Sequence, residues 1–233
     1  MTPEPAPRRA TPVAAPDLRD ELTVVEDLVL HDDERVEDVD TAACGLDADQ
    51  PIEGLQLRRV RLVGPAWTGV TLRDLHLRDV VIEGGELAGV SFEGATFERV
   101  AFLRCRLSGI VAPALRATDV RFVDCRMEEA WLRAATLERA AFEDCALPRA
   151  DLYAARVRQS RFERCDLTEV ELSQAELDDV AFHGSRIEGI TGGAALRNAV
   201  IGSDQLLVFA GPVLHAAGIV VDDDYLRAPD EPA

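Results

Sequence analysis

The chain has 233 residues, 47% of them hydrophobic, and a net charge of −18 because 43 acidic side chains outnumber 25 basic ones. An acidic chain repels phosphates, which disfavours direct binding of nucleic acid. No apolar run reaches the roughly 18 residues of a membrane span, and no signal peptide opens the chain, so we expect a cytoplasmic protein.

The N-terminal quarter is predicted to be a tail followed by a cap. Residues 1–16 contain five Pro and little apolar bulk, which predicts a disordered Pro-rich tail. Residues 17–50 hold thirteen acidic side chains and two Arg, with short β-like runs at 23–30 and 35–39. We predict an acidic N-terminal β cap over residues 17–50 that covers the first coil. An acidic docking surface is the alternative.

A five-residue period governs the next segment. From Ile52 to Ile187 every fifth residue is apolar, and 26 of these 28 central positions hold a large side chain. The residue two places before each centre carries no charge from position 55 to position 185. A period of five fits neither a helix nor a single strand, but it does fit short extended segments joined by turns. Each pentad is therefore predicted to form one side of a coil, with two side chains turned inward.

Residues twenty apart indicate how many sides a coil has. Phe recurs at this interval over positions 102–182, and Cys recurs over positions 105–165. Arg and Asp alternate over positions 59–139, which predicts a solvated row of ion pairs that contribute about 0–1 kcal/mol each. Four pentads then complete a square coil, and seven coils give a shaft roughly 30–35 Å long. The cysteines are expected to be buried, reduced thiols that bind no metal.

The pentads resemble the pentapeptide-repeat family, whose motif is small–Asp/Asn–Leu–x–x. Residues 150–152 are a perfect copy, and residues 165–167 and 175–177 are close ones. The resemblance implies a right-handed quadrilateral β-helix. The expected fold is thus an all-β solenoid of about seven coils, with the repeats over residues 51–202.

Residues 111–117 are the least regular part of the predicted shaft. Two successive pentad centres there are Ala, and Pro113 lacks a backbone donor, so we expect the coil to dent or the turn to bulge. Trp131 and Tyr153 stand at outward positions on the same side. Two interpretations stay open: Trp131 fills the space above Ala112, or Pro113, Trp131 and Tyr153 form a partner-binding patch.

The five-residue register ends after Ile190. Leu196 and Ile201 are expected in a displaced final half-coil. Ser203-Asp204 predicts the N-cap of a helix.

The segment 203–221 is predicted to close the other end of the shaft. Pro212 predicts a kink or break after Phe209, Gly218 a stop, and residues 219–221 a short strand. This segment is expected to cap the last coil, or alternatively to join two copies of the chain as a dimerising helix. Residues 222–233 are predicted to be an acidic tail.

No arrangement of reactive side chains emerges from the sequence. The four His lie in unrelated places, and the sequence holds no Gly-rich phosphate loop or metal motif. We expect no cofactor, no metal and no enzymatic activity. The predicted function is a protein interaction or scaffold module whose partner the sequence does not identify.

The alternative function rests on the resemblance. Some pentapeptide-repeat proteins mimic B-form DNA and inhibit or protect a type II topoisomerase such as DNA gyrase. The net charge agrees with mimicry, whereas the nearly balanced charge of residues 51–190 argues against a continuous acidic stripe.

Overall fold

The computed structural model describes residues 11–19, 21–46 and 50–221. The chain winds into a parallel β-solenoid of about eight turns that ends in a short helix. The strands are β1 Thr23–Val25, β2 Leu28–Leu30, β3 Arg35–Thr41, β4 Cys44–Leu46, β5 Ile52–Glu53, β6 Gln56–Val63, β7 Thr71–Arg73, β8 His76–Glu83, β9 Ser91–Glu93, β10 Thr96–Leu103, β11 Arg116–Val123, β12 Thr136–Glu138, β13 Ala141–Glu143, β14 Arg156–Glu163 and β15 Glu176–Ala181. Two 3₁₀ helices, Gly193–Asn198 and Ser203–Gln205, precede the α-helix α1, Leu206–Ala216.

Residues twenty apart are neighbours in successive coils, as predicted. Phe122 pairs with Phe102 on one side and with Phe142 on the other. The rings stack nearly parallel, with centroids 4.9 and 4.8 Å apart. All 28 pentad centres are buried, so the five-residue period marks the core.

A column of hydrogen bonds runs beside the Phe stack. The Sγ atoms of Cys105, Cys125, Cys145 and Cys165 each donate to a carbonyl 23 residues earlier, at 3.3–3.4 Å. Ser185 repeats the contact to Phe162 O at 3.0 Å, and Gln205 repeats it to Phe182 O at 2.6 Å. All five cysteines are free, and all are buried as predicted.

The predicted irregularity near Pro113 is absent from the backbone. Ala112 N donates to Trp131 O at 2.8 Å, and Ala114 N donates to Arg133 O at 2.8 Å, so the coils stay bonded on both sides of Pro113. Two coils further on in the same column, the N–H of Tyr153 bonds to the side chain of Asp151 rather than to a neighbouring coil. A proline at this position therefore removes no bond between coils, and the expectation of a dent or bulge is wrong.

Two large side chains compensate for the small centres. Phe97 pairs in register with Ala117, and Phe92 N donates to Val111 O beside Ala112. The two Phe rings meet edge to face at 5.6 Å. Phe in one coil and Ala in the next together occupy about the volume of two Val, so the large ring makes up for the small centre beside it.

The N-terminal region joins the solenoid. Strand β3 pairs with β6, Val36 opposite Leu57, at a spacing of 21 rather than 20 residues. The segment predicted as a β cap thus adds a coil of its own. Of the predicted tail, residues 11–16 are described; with 17–19 they form a segment, here called the N-terminal segment, that contacts the shaft through Ala14 and Asp17. Residues 1–10 and the predicted acidic tail 222–233 lie outside the described residues.

The C-terminal segment closes the last coil through Phe209. This ring is 4% exposed and lies 5.9 Å from the ring of Phe182. Helix α1 runs through Pro212 without the predicted break, because packing of so short a helix on the shaft outweighs one missing bond.

The helix ends where the sequence predicts. Gly218 has φ +72°, and Ile219 N donates back to Leu214 O at 2.9 Å. Residues 219–221 are exposed and form no strand, so the predicted short strand is wrong.

Candidate partner-binding surface

Three outward residues form one column on a side of the shaft. Pro113, Arg133 and Tyr153 are twenty residues apart and therefore lie above one another in successive coils. Ala134 N donates to Tyr153 O at 2.9 Å and fixes this register. Trp131 lies on the same side, in the adjacent column. The three residues predicted as a patch thus share one side of the shaft, and Arg133 lies among them.

Arg133 links the two aromatic rings. Its guanidinium carbon lies 5.7 Å from the centroid of the Trp131 ring and 5.1 Å from that of the Tyr153 ring, within the range of cation–π attraction. Arg133 Nε also donates to Asp151 Oδ2 at 2.6 Å. Asp151 Oδ1 accepts the Tyr153 N–H at 3.0 Å, so one carboxylate orients both the cation and the backbone under the second ring.

Trp131 is exposed, not folded inward. Its side chain is 44% exposed, and it is the one large hydrophobic residue exposed among residues 52–190, all of which the structure describes. Ala112 is buried, with Phe92 packed beside it in the preceding coil. This geometry favours the surface interpretation of Trp131 over the space-filling one. We call Pro113, Trp131, Arg133 and Tyr153 the aromatic surface.

Carboxylates continue the Trp131 column. Asp151 and Glu171 follow it at intervals of twenty residues, and Thr191 Oγ1 donates to Glu171 Oε2 at 2.6 Å. Burial alone would raise the pKa of Glu171, but hydrogen bonds from Ser173 and Thr191 and the charge of Arg133 lower it below its ordinary value. The aromatic surface therefore has a cationic centre and an anionic edge.

The chemistry of this surface suits recognition. Trp, Tyr and Arg are the side chains most enriched where binding energy concentrates at protein interfaces. Among the described residues, no group of three or more His, Cys, Asp and Glu is arranged to hold a metal ion. No helix in the described part of the chain combines the length and apolarity that crossing a bilayer requires.

Sequence reasoning missed Arg133 and Asp151. The signal was present, since Arg133 stands midway between Pro113 and Tyr153 in a twenty-residue series. Asp151 is likewise twenty residues after Trp131. What the sequence did not show is that the guanidinium of Arg133, although exposed, lies within cation–π range of both rings.

A second exposed apolar surface lies on α1. Leu207 is 89% exposed, and Leu206, Val208 and Val213 are between 40% and 61% exposed. Phe209 is the buried member of the helix. Helix α1 thus caps the shaft through one buried side chain. Dimerisation through its exposed apolar residues stays a prediction.

One family model and several solved structures resemble this chain. A family model described as a pentapeptide repeat region matches residues 95–162 and 115–191. The structure of QnrB1, a plasmid-mediated fluoroquinolone resistance protein, is 14% identical with a TM-score of 0.44; the match covers 84% of this chain and 100% of that one. HetL, a pentapeptide repeat protein involved in heterocyst differentiation regulation from the cyanobacterium Nostoc sp. strain PCC 7120, is 14% identical with a TM-score of 0.37, over 78% and 90% of the two chains. No protein of curated function matches the sequence significantly.

The family match and the geometry agree. The matched residues 95–191 fall within the stack of twenty-residue coils whose centres are all buried. Residues 95–191 are a pentapeptide repeat region.

Proposed function

We propose that this chain is a non-enzymatic interaction module that holds a protein partner on the aromatic surface. The observation that carries the proposal is the Arg133 guanidinium between the rings of Trp131 and Tyr153. Side chains already held in place lose less conformational freedom on binding, so more of their contact energy appears as affinity. The stacked coils supply that rigidity.

The proposal predicts that truncating the two rings weakens binding. The double variant Trp131→Ala, Tyr153→Ala removes both ring faces, and each hot-spot side chain contributes about 2 kcal/mol or more, so affinity should fall at least tenfold. The partner is first recovered by affinity purification on the immobilised chain. Its affinity is then measured by calorimetry with purified components.

The matched control is a double substitution in the same column. Arg73→Ala with Glu93→Ala removes an exposed ion pair, 3.0 Å long, from the two coils that precede Pro113. This control should bind as the natural chain does. Both variants should melt close to the natural chain, because surface substitutions change stability by about 0.5 kcal/mol or less. An unchanged affinity in the ring variant would contradict the proposal.

A second candidate is mimicry of DNA toward a type II topoisomerase. The net charge of −18 favours it. Against it, shaft carboxylates such as Asp79, Asp119 and Glu143 are each paired with Arg, which interrupts an acidic stripe. A gyrase supercoiling assay decides: inhibition or protection at micromolar protein supports mimicry, and no effect ends it.

A further inference from the structure

One edge of the shaft carries a row of alternating charge, distinct from the aromatic surface. We call it the corner row, and its members are Asp38, Arg59, Asp79, Arg99, Asp119 and Arg139. They form three acid–arginine pairs, one pair for every two coils. Arg99 Nε and Nη2 bond to Asp79 at 2.6 and 2.8 Å, and Arg139 bonds to Asp119 at 2.9 Å through both nitrogens.

Three members of the corner row are buried rather than solvated as predicted, and Asp38, Arg99 and Arg139 are partly buried. Asp79 is 4% exposed, and Asp119 and Arg59 are each 9% exposed. A carboxylate removed from water needs its lone pairs satisfied, and a bidentate Arg satisfies only part of them. Each acid has capacity for a further donor.

The N-terminal segment supplies a donor to every acid. The Ala14 N–H donates to Asp119 Oδ1 at 3.1 Å, and the Asp17 N–H donates to Asp79 Oδ1 at 2.9 Å. Arg19 Nη1 lies 3.2 Å from Asp38 Oδ2. The segment therefore runs along the shaft axis and meets the three pairs in succession.

The spacing of the N–H donors along the N-terminal segment matches the spacing of the acids along the corner row. Successive acids are two coils apart, about 9.6 Å at the usual strand spacing. Three residues of extended chain, from Ala14 to Asp17, span about 10 Å. At positions 14 and 17 the bonds come from main-chain N–H groups, so binding does not depend on which side chains stand there. The prolines of the segment, Pro12 and Pro16, occupy positions that donate nothing to the row.

We propose that the corner row is a peptide-binding site whose resident occupant is the N-terminal segment. The site accepts an extended peptide with free N–H groups at two positions three residues apart and an Arg two residues after the second. Proline at either anchoring position is excluded. A partner segment with this pattern competes with the chain's own segment.

The test uses the full chain and a synthetic peptide of residues 11–19. The variant Ala14→Pro, Asp17→Pro lacks both anchoring N–H groups, so its N-terminal segment should no longer occupy the corner row. Titration of the ¹⁵N-labelled protein with the peptide should give saturable amide shifts in β8, β10 and β11. Binding to the natural chain should be at least tenfold weaker, because the tethered segment competes at a high effective concentration.

Methylated peptides provide the matched control. N-methylation of Ala14 and Asp17 in the peptide should abolish the shifts, whereas N-methylation of Ala15 should leave them. The circular dichroism melt of the protein variant checks that the shaft is intact. Absence of saturable shifts, equal affinity for both proteins, or indifference to methylation at 14 and 17 would each overturn the proposal.

Discussion

At the corners of the coils the backbone takes a conformation that L-amino acids avoid. The residue two places after every pentad centre has a positive φ, from Gly54 to Gly189, and nineteen of these 28 residues are not glycine. Left-handed backbone costs a non-glycine residue about 1–2 kcal/mol. The hydrogen bonds between coils must outweigh that cost at every corner. No β-branched or aromatic residue occupies a corner, so the sequence did carry this signal.

A corner glycine should not tolerate a β-branched residue. Gly109 has φ +66°, and a Cβ there would meet no atom within 4 Å, so the backbone alone decides. We expect Gly109→Val to lower the free energy of unfolding by about 1–2 kcal/mol. The control is Gly45→Val in β4, where there is equal room and no positive φ. Urea unfolding of both variants measures the difference, and equal stabilities would contradict the argument.

The buried acids of the corner row should make the free energy of unfolding depend on pH in the acidic range. Burial alone would raise the pKa of Asp119, but the Arg139 guanidinium and the Ala14 N–H lower it. A lowered folded pKa means that this stabilisation is complete above the unfolded value of about 3.9 and is lost as pH falls below it.

The measurement is the free energy of unfolding from pH 7 to pH 3. The natural chain should lose stability below about pH 4 more steeply than Asp119→Asn, which keeps an acceptor for Ala14 but cannot titrate. Parallel curves for the two proteins would show that Asp119 does not contribute.

Among the elements, helix α1 should behave as a separable lid. Phe209 is its buried anchor on Phe182, and in a stack of coils stability is shared only between neighbours. Phe209→Ala should raise hydrogen exchange in residues 206–216 by at least tenfold and leave β8 and β10 unchanged. The control is Leu207→Ala, which removes a side chain that is 89% exposed. Faster exchange throughout the shaft would contradict a separable lid.

The strands of the shaft could be predicted from the sequence, whereas the path of the N-terminal segment and the continuity of α1 through Pro212 could not. Phe122 beside Phe142 follows directly from an interval of twenty. The N-terminal segment leaves no such pattern, because Ala14 and Asp17 are held by main-chain N–H groups that bond to carboxylates 105 and 62 residues away. At Pro212 the sequence carries a signal, but the predicted break does not occur, because packing of α1 outweighs the local effect of the proline. The aromatic surface was half predicted: the interval of twenty located its rings, but not the cation between them.

For the whole molecule, the exposed face of α1 predicts self-association. A helix that presents Leu207 and its apolar neighbours to water gains by burying them against a second copy. We expect the natural chain to sediment as a dimer and Leu207→Asp as a monomer. The control Val24→Asp, at a site 77% exposed at the opposite end, should stay dimeric. A natural chain that is monomeric at every concentration would refute the prediction.

The core and the corner row of this molecule repeat with different periods. Core contacts recur every coil, whereas charge along the row recurs every second coil. If a single coil were duplicated within the chain, the hydrophobic core would still pack. Two residues of like charge would then lie next to each other in the corner row. If coils were added in pairs, acid and arginine would still alternate along the corner row. Each added pair would need three more residues in the N-terminal segment to reach its acid.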